Sequence, residues 1–200
     1  SNYTQGGLES FLSDIFQSLM KKYFLTLAVL VISGYFASQI QSSFGDVRVQ
    51  SIKIPTQNGQ WLVADLFKPY SATANNPSPL VIVVPGFQRS KETLSNIAIE
   101  LSRRGIVTIS IDPYAQGLSS SSHSTRAATK EGYGMFSLVD YVYDTSILNY
   151  IDKDKIGVTG HSAGGLAAIR SAQHFGKIAR KKDTKSKVHS VFVSGMLRMG

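Results

Sequence analysis

Residues Ile156–Ile169 read IGVTGHSAGGLAAI. A β-branched run ends at Gly160, His161, Ser162 and Ala163 follow, and Gly164-Gly165 then opens an alanine-rich segment. β-Branched residues favour strands and alanine favours helix, so the spacing predicts a strand that becomes a helix at Ser162. Gly160-His161-Ser162-Ala163-Gly164 fits G-x-S-x-G in the context that gives this pattern its meaning, strand before and helix after. A serine at the apex of so tight a turn projects its hydroxyl from the sheet edge. Gly160 and Gly164 remove side chains where strand and helix come close. The Ala163 N–H, at the helix start, points toward an oxygen held there, and such donors stabilise developing negative charge. The plainer alternative is an N-cap serine of the kind found at strand–helix turns in phosphate-binding α/β proteins.

Working outward, the surroundings repeat the alternation. Leu80–Val84 is a solid apolar strand of the kind buried on both faces of a parallel sheet. Lys91–Arg104 has helical periodicity and Gly105 stops it, Ile106–Ile111 is a strand, and Glu131–Tyr150 reads as a long helix. Ile156–Thr159, the helix Ala163–Phe175 and the strand Val188–Val193 complete the series. Upstream, Val47–Ile54 alternates as a half-buried strand should, and Asn58-Gly59 turns it into Trp61–Phe67. A hairpin followed by strand–helix alternation predicts an α/β domain over residues 46–200, with a mostly parallel sheet opened by an antiparallel hairpin.

The loop after Leu80–Val84 adds a second element. An oxyanion hole of the G-x-S-x-G type takes its other N–H from the loop after an earlier central strand. Val84-Pro85-Gly86-Phe87 supplies that loop, with Gly86 letting the backbone turn closely and Phe87 offering its N–H. Pro-Gly as a simple strand end is the alternative. Asp112-Pro113-Tyr114-Ala115-Gln116-Gly117-Leu118-Ser119 follows the next strand and stands where a tight loop borders the site.

VIVVPGF, KETLSNIAIELSRRG, ISIDPYAQGLS and YIDKDKIGVTGHSAGG together resemble the α/β-hydrolase superfamily, in its dienelactone hydrolase or acyl-peptidase-like branch. The resemblance covers roughly residues 47–200, the N-terminal two thirds of such a domain. Pro85 stands where the family commonly has histidine, and the third segment departs from D-x-x-G-x-G-x-S, without loss of a backbone donor. The resemblance implies a serine hydrolase acting on an ester, thioester or amide through an acyl-enzyme. Ser162 is then the nucleophile, and Phe87 and Ala163 form the oxyanion hole. Gly86, Gly160 and Gly164 are the structural glycines, and neither metal nor other cofactor is implied. The partner is a small-molecule or acyl substrate.

In this fold the order is serine, acid, histidine. After Ser162 the chain offers only Asp183, His174 and His189. His174 falls within the helix after the elbow, and Asp183 and His189 are expected at the far end of the sheet. His161, the variable elbow residue, is more often a packing group, and His123 lies in a serine-rich loop. Val47–Gly200 is also shorter than the roughly 200–250 residues common for such a domain. The domain is therefore expected to be truncated at its C-terminus, with acid and histidine beyond residue 200. The competing functional reading is a non-catalytic hydrolase-like module that binds a partner or lipid at a membrane.

Residues 1–45 have another character. Tyr23–Gly45 contains no charged residue, and its core, Tyr23–Ile40, approaches the about 20 residues that cross the hydrocarbon layer. Leu8, Phe11, Leu12, Ile15, Phe16 and Leu19 precede it at helical spacing, predicting an amphipathic helix that leads into a transmembrane anchor. Lys21-Lys22 before the span predict a single-pass protein with the hydrolase domain outside the cytoplasm. A cleaved signal peptide and a buried or partner-bound helix are the alternatives.

Composition excludes some chemistry. The chain has no cysteine, which removes disulfides, thiolate zinc sites and cysteine nucleophiles. Most of its net charge of +8 is one segment, residues 177–187, where six basic residues face only Asp183. With no interleaved aromatics it reads as a solvated loop, and nucleic-acid binding is not expected.

Overall fold

The structure, a computed structural model, describes residues 3–121 and 131–196. The chain separates into two compact units, Ser1–Gln41 and Ser42–Gly200. The first is one helix, α1 (Tyr3–Gln41), of 39 residues, about 58 Å long at 1.5 Å per residue. Its segment Glu9–Ile40 is long and apolar enough to cross a membrane, and its apolar side chains are exposed. A helix satisfies its backbone polar groups internally, as a lipid environment demands. Three successive left-handed residues, Ser43, Phe44 and Gly45, follow the helix and turn the chain.

Six described strands of the second unit form one sheet, in the order β1 (Val47–Pro55), β2 (Trp61–Pro69), β4 (Val107–Ile111), β3 (Ser78–Val84), β5 (Ile151–His161) and β6 (Ser190–Ser194). β1 and β2 make the antiparallel hairpin, in register from Val47↔Pro69 to Pro55↔Trp61. A 3-10 turn at Gln57–Gly59 joins them, with Gly59 at φ 74°. β2 runs antiparallel to β4, whereas β3 is parallel to both β4 and β5. β6 extends the sheet parallel to β5. This is the α/β-hydrolase arrangement: a mostly parallel sheet opened by an antiparallel hairpin. From β3 the chain moves to β4 on one side, and β5 then returns to β3's other side. The carboxyl ends of β3 and β5 are therefore a switch point, the place where an open α/β sheet leaves a crevice.

Burial explains the strand composition. Leu80, Ile82, Val83 and Val84 of β3 and all five residues of β4 are buried, because helices cover both faces of central parallel strands. Met135, Leu138, Val139 and Val142 form the buried stripe of α3 (Met135–Asp144). In α4 (Ala163–Lys182), buried Gly164, Gly165, Ala167 and Ala168 bring the helix backbone close to the sheet before Phe175 fills the space beyond. α2 (Ser95–Arg103) buries Ala98 against Val47 and Phe67.

Three sequence expectations shift. The helix expected over 131–150 is shorter: a 3-10 turn at Gly132–Gly134 precedes α3, which ends where Thr145 turns extended. Asp144-Thr145-Ser146 offers side-chain alternatives to helical bonds, and Lys153 Nζ donates to the Tyr143 and Thr145 carbonyls at the helix end. The helix expected over 91–104 opens as a 3-10 turn, Lys91–Leu94, before α2 begins. Finally, Lys177–Lys182 are helical, not loop. Phe175 and Ala179 carry the buried stripe into this stretch, and cations in a last helical turn suit the macrodipole.

His174, on α4, stacks on Phe136 with ring centroids 4.1 Å apart. Burial pushes its imidazole pKa below the ordinary value of 6.5, against the opposing charge of Asp140. As pH falls through about 6.5 the unfolded chain protonates this residue before the folded one does, so stability declines. Replacing His174 by phenylalanine is expected to flatten that decline in thermal melts between about pH 7 and 5; an unchanged slope would remove the assignment.

Candidate active site

The elbow sits at the switch point. Val84, the last residue of β3, pairs with Gly160 of β5, which aligns the ends of the two strands. Ser162 follows at φ 54°, ψ −119°, a strained conformation for a residue with a Cβ. Its N–H donates to the Ser194 carbonyl at 3.1 Å, fixing the turn to the end of β6. Its carbonyl accepts from the Leu166 N–H at 3.2 Å, in the first turn of α4. The residue is half-buried, and its Oγ makes no capping bond to α4, unlike an N-cap serine.

The neighbouring glycines are required by contact. A Cβ on Gly164 would lie 2.1 Å from the Val84 carbonyl oxygen and 2.4 Å from that of Pro85. One on Gly160 would lie 2.4 Å from the Gly164 backbone. Strand, loop and helix thus meet backbone to backbone.

The loop after β3 lies against the elbow. A Cβ on Gly86 would be 3.4 Å from the Ser162 Cβ, and the adjacent Phe87 is 64% exposed. The Arg89 N–H closes this loop on the Gly86 carbonyl at 3.3 Å. Among the described residues, neither the Phe87 nor the Ala163 N–H has an acceptor.

The loop after β4 is held by Asp112, a residue 1% exposed whose central part sequence reasoning missed. Its carboxylate accepts the Lys91 N–H at 2.7 Å and the Leu118 N–H at 3.0 Å, and Gly117 packs directly on it. Ser119 Oγ donates to the Asp112 carbonyl and accepts from the Val63 N–H, while Trp61 Nε1 donates to the Leu118 carbonyl. Lys91, 8% exposed, faces Asp65 at 3.4 Å and pairs with Glu92. Burial alone would lower the Lys91 pKa, but its bond to Glu92 and the charge of Asp65 raise it overall. The legible signal was an aspartate directly after a buried strand, with Gly117 five positions on. Asp112→Ala orphans the buried Lys91 N–H and the partly buried Leu118 N–H and is expected to cost about 3 kcal/mol, at 1.5–3 kcal/mol per bond to a charged acceptor. Asp112→Asn, which keeps one acceptor, should cost less. Equal melts for the two variants would contradict this.

Among the described residues, no histidine is hydrogen-bonded to Ser162. His161 is exposed, and a Cβ on Gly195 would meet its ring at 2.6 Å, so it packs beside the elbow. His174 stacks within α4's packing. His189 bonds through Nδ1 to the Ile156 N–H, toward the opposite end of the sheet strand that leads to Ser162. Asp183 caps the far end of α4, about 30 Å of helix from Ser162. His123 lies outside the described residues.

The profile of the PET hydrolase-like family matches residues 33–184, well over half of the chain. The chain belongs to that family. No curated protein sequence matches it. Among solved structures, a bacterial heroin esterase is 19% identical, covered over 82% of this chain and 49% of its own, with a TM-score of 0.57. An esterase of Pyrococcus furiosus is 22% identical over 63% of this chain and 46% of its own, with a TM-score of 0.51. The ferulic-acid complex of Est1E from Butyrivibrio proteoclasticus is 25% identical over 62% and 47%, with a TM-score of 0.52. This PET hydrolase-like chain thus has the fold of a hydrolase and spans less than half the length of each of these structures.

Proposed function

We propose that the chain carries the nucleophile of a membrane-held serine esterase. The observation that supports this most is Ser162, held at positive φ on a strand-to-helix turn, beside two backbone N–H groups without acceptors. In the reaction, Ser162 Oγ adds to the substrate carbonyl carbon and its proton passes to a base. The carbonyl oxygen becomes an oxyanion facing the Phe87 and Ala163 N–H groups. Collapse expels the alcohol, which takes the proton, and leaves an acyl-serine; water then adds and releases the acid. None of the described histidines is assigned as the base. The esterase neighbours favour an ester over an amide or thioester. Residues 23–40 of α1 serve as the membrane segment, with Lys21-Lys22 keeping the N-terminus cytoplasmic.

A fluorophosphonate probe tests this on the protein expressed from its natural gene, with Ser162→Ala as control. Labelling lost in the variant is the expected result. A folded protein that takes no label would overturn the proposal and favour a non-catalytic module binding a partner or lipid.

A further inference from the structure

Apart from the elbow, the second unit holds a cavity of about 540 Å³ between the β1–β2 hairpin and the connection from α3 to β5. Three cations, Arg48, Lys53 and Lys68, line it together with Tyr141 and Tyr150, and no carboxylate does. Arg48 and Lys68 are register partners. They lie beyond the Phe67↔Thr108 pair, toward the start of β4 and away from the strand ends that carry Ser162.

None of the three cations forms an ion pair among the described residues. Two rest on aromatic faces instead: Lys53 Nζ is 4.1 Å from the Trp61 ring centre and Lys68 Nζ is 4.8 Å from that of Tyr150. Burial raises the Tyr150 phenol pKa and the charge of Arg48 opposes the rise, which places Arg48 on the same group. Lys53 alternates to the opposite face of the hairpin with Trp61, which leaves Arg48 and Lys68, two positive charges without a counter-charge, to attract an anion into the concavity. Its walls are not purely polar, because Ile52, Leu66 and Leu148 also line it. A bare phosphate would leave those side chains uncovered, so an anion with an attached apolar portion fits better.

The geometry points to a site for the headgroup and glycerol region of an anionic phospholipid. Arg48 and Lys68 take the phosphate, and Ile52, Leu66 and Leu148 lie under the first acyl carbons. The choice of a lipid rests on the membrane reading of α1. Arg48 follows Gln41, the last helical residue, by seven positions, about 25 Å of fully extended chain. On that reading, phospholipid phosphates at the end of the span lie within this tether's length of Arg48.

Binding is followed by isothermal titration calorimetry rather than by tryptophan emission, because Trp61, the sole tryptophan, lies seven register positions from the Arg48↔Lys68 pair and is bonded to the Leu118 carbonyl instead. The full chain in neutral detergent micelles is titrated with dihexanoyl phosphatidylglycerol, dihexanoyl phosphatidylcholine and inorganic phosphate. A saturable change is expected with phosphatidylglycerol, at least about tenfold tighter than with either other probe. The Arg48→Gln/Lys68→Gln variant should weaken it at least about tenfold, and Arg48→Lys/Lys68→Arg should retain it, both with unchanged melts. An equal response to inorganic phosphate would make this a free-phosphate site and overturn the lipid assignment. No response, or one indifferent to the glutamine substitutions, overturns the site altogether. Alkaline extraction of membranes tests α1 separately, so failure of the anchor is distinguishable from failure of the cavity.

Discussion

Ser162→Gly is expected to abolish ester hydrolysis and at the same time raise the melting temperature. The rate loss on removing a serine nucleophile is roughly a million-fold, and Ser162→Ala should match it. The two variants should part on stability. Ser162 sits at φ 54°, ψ −119°, where a residue with a Cβ bears about 1–3 kcal/mol of strain. Alanine retains that strain. Glycine relieves it and loses about 0.5–1 kcal/mol to the greater freedom of its unfolded chain, leaving a net gain of about 1 kcal/mol. Thermal melts of the three proteins, with fluorophosphonate labelling alongside, check both halves. A glycine variant no more stable than the parent would mean that the turn is relaxed, and residual labelling in either variant would place the reactive group elsewhere.

Gly164→Ala should be the most damaging single-methyl change in the second unit. The added carbon would fall 2.1 Å from the Val84 carbonyl oxygen and 2.4 Å from that of Pro85. Both contacts are backbone, so no side chain can rotate aside. Overpacking costs typically 1–3 kcal/mol and occasionally more, and with the loop after β3 displaced the upper end, about 3 kcal/mol, is expected. For a unit of this size that is roughly 6–12 °C in melting temperature. Activity should fall further than stability, because the Phe87 N–H belongs to the displaced loop. Gly176→Ala, on the same helix with open space where its Cβ would go, is the control and should be neutral or slightly stabilising. Similar melts for the two would show that the strand–helix contact yields easily.

Much of this architecture was legible because the chain punctuates its strands. β3 and β4 are short β-branched-rich runs bounded by Pro85-Gly86 and by Gly105 and Pro113, and the pentapeptide around Ser162 stands between a strand and a helix, the context that gives it meaning. What escaped was decided by contacts distant in sequence. Lys177–Lys182 looked solvated because basic residues mask helical periodicity, yet Phe175 and Ala179 bury a stripe beneath them. α3 ended early because Lys153, from the following strand, binds its last carbonyls. Asp112 was legible only as the first residue of the loop after β4, since its partners Lys91 and Leu118 are 21 and 6 positions away and come together only in the fold. The cationic cavity was invisible for the same reason: Arg48, Lys68 and Tyr150 are near one another only after the hairpin meets the α3–β5 connection.

The meeting of β3, the elbow and α4 without side chains also constrains how this site can evolve. Gly160 and Gly164 can vary only by displacing main chain, which any Cβ there would strike, whereas a side chain at position 162 meets backbone strain but no such contact. On the proposed reading of Ser162 as nucleophile, new chemistry enters by exchanging that residue for cysteine or aspartate, or by altering the exposed Phe87, while the glycine scaffold around them stays frozen. Drift at this active site has one position for changing the reaction and a separate set for changing the substrate.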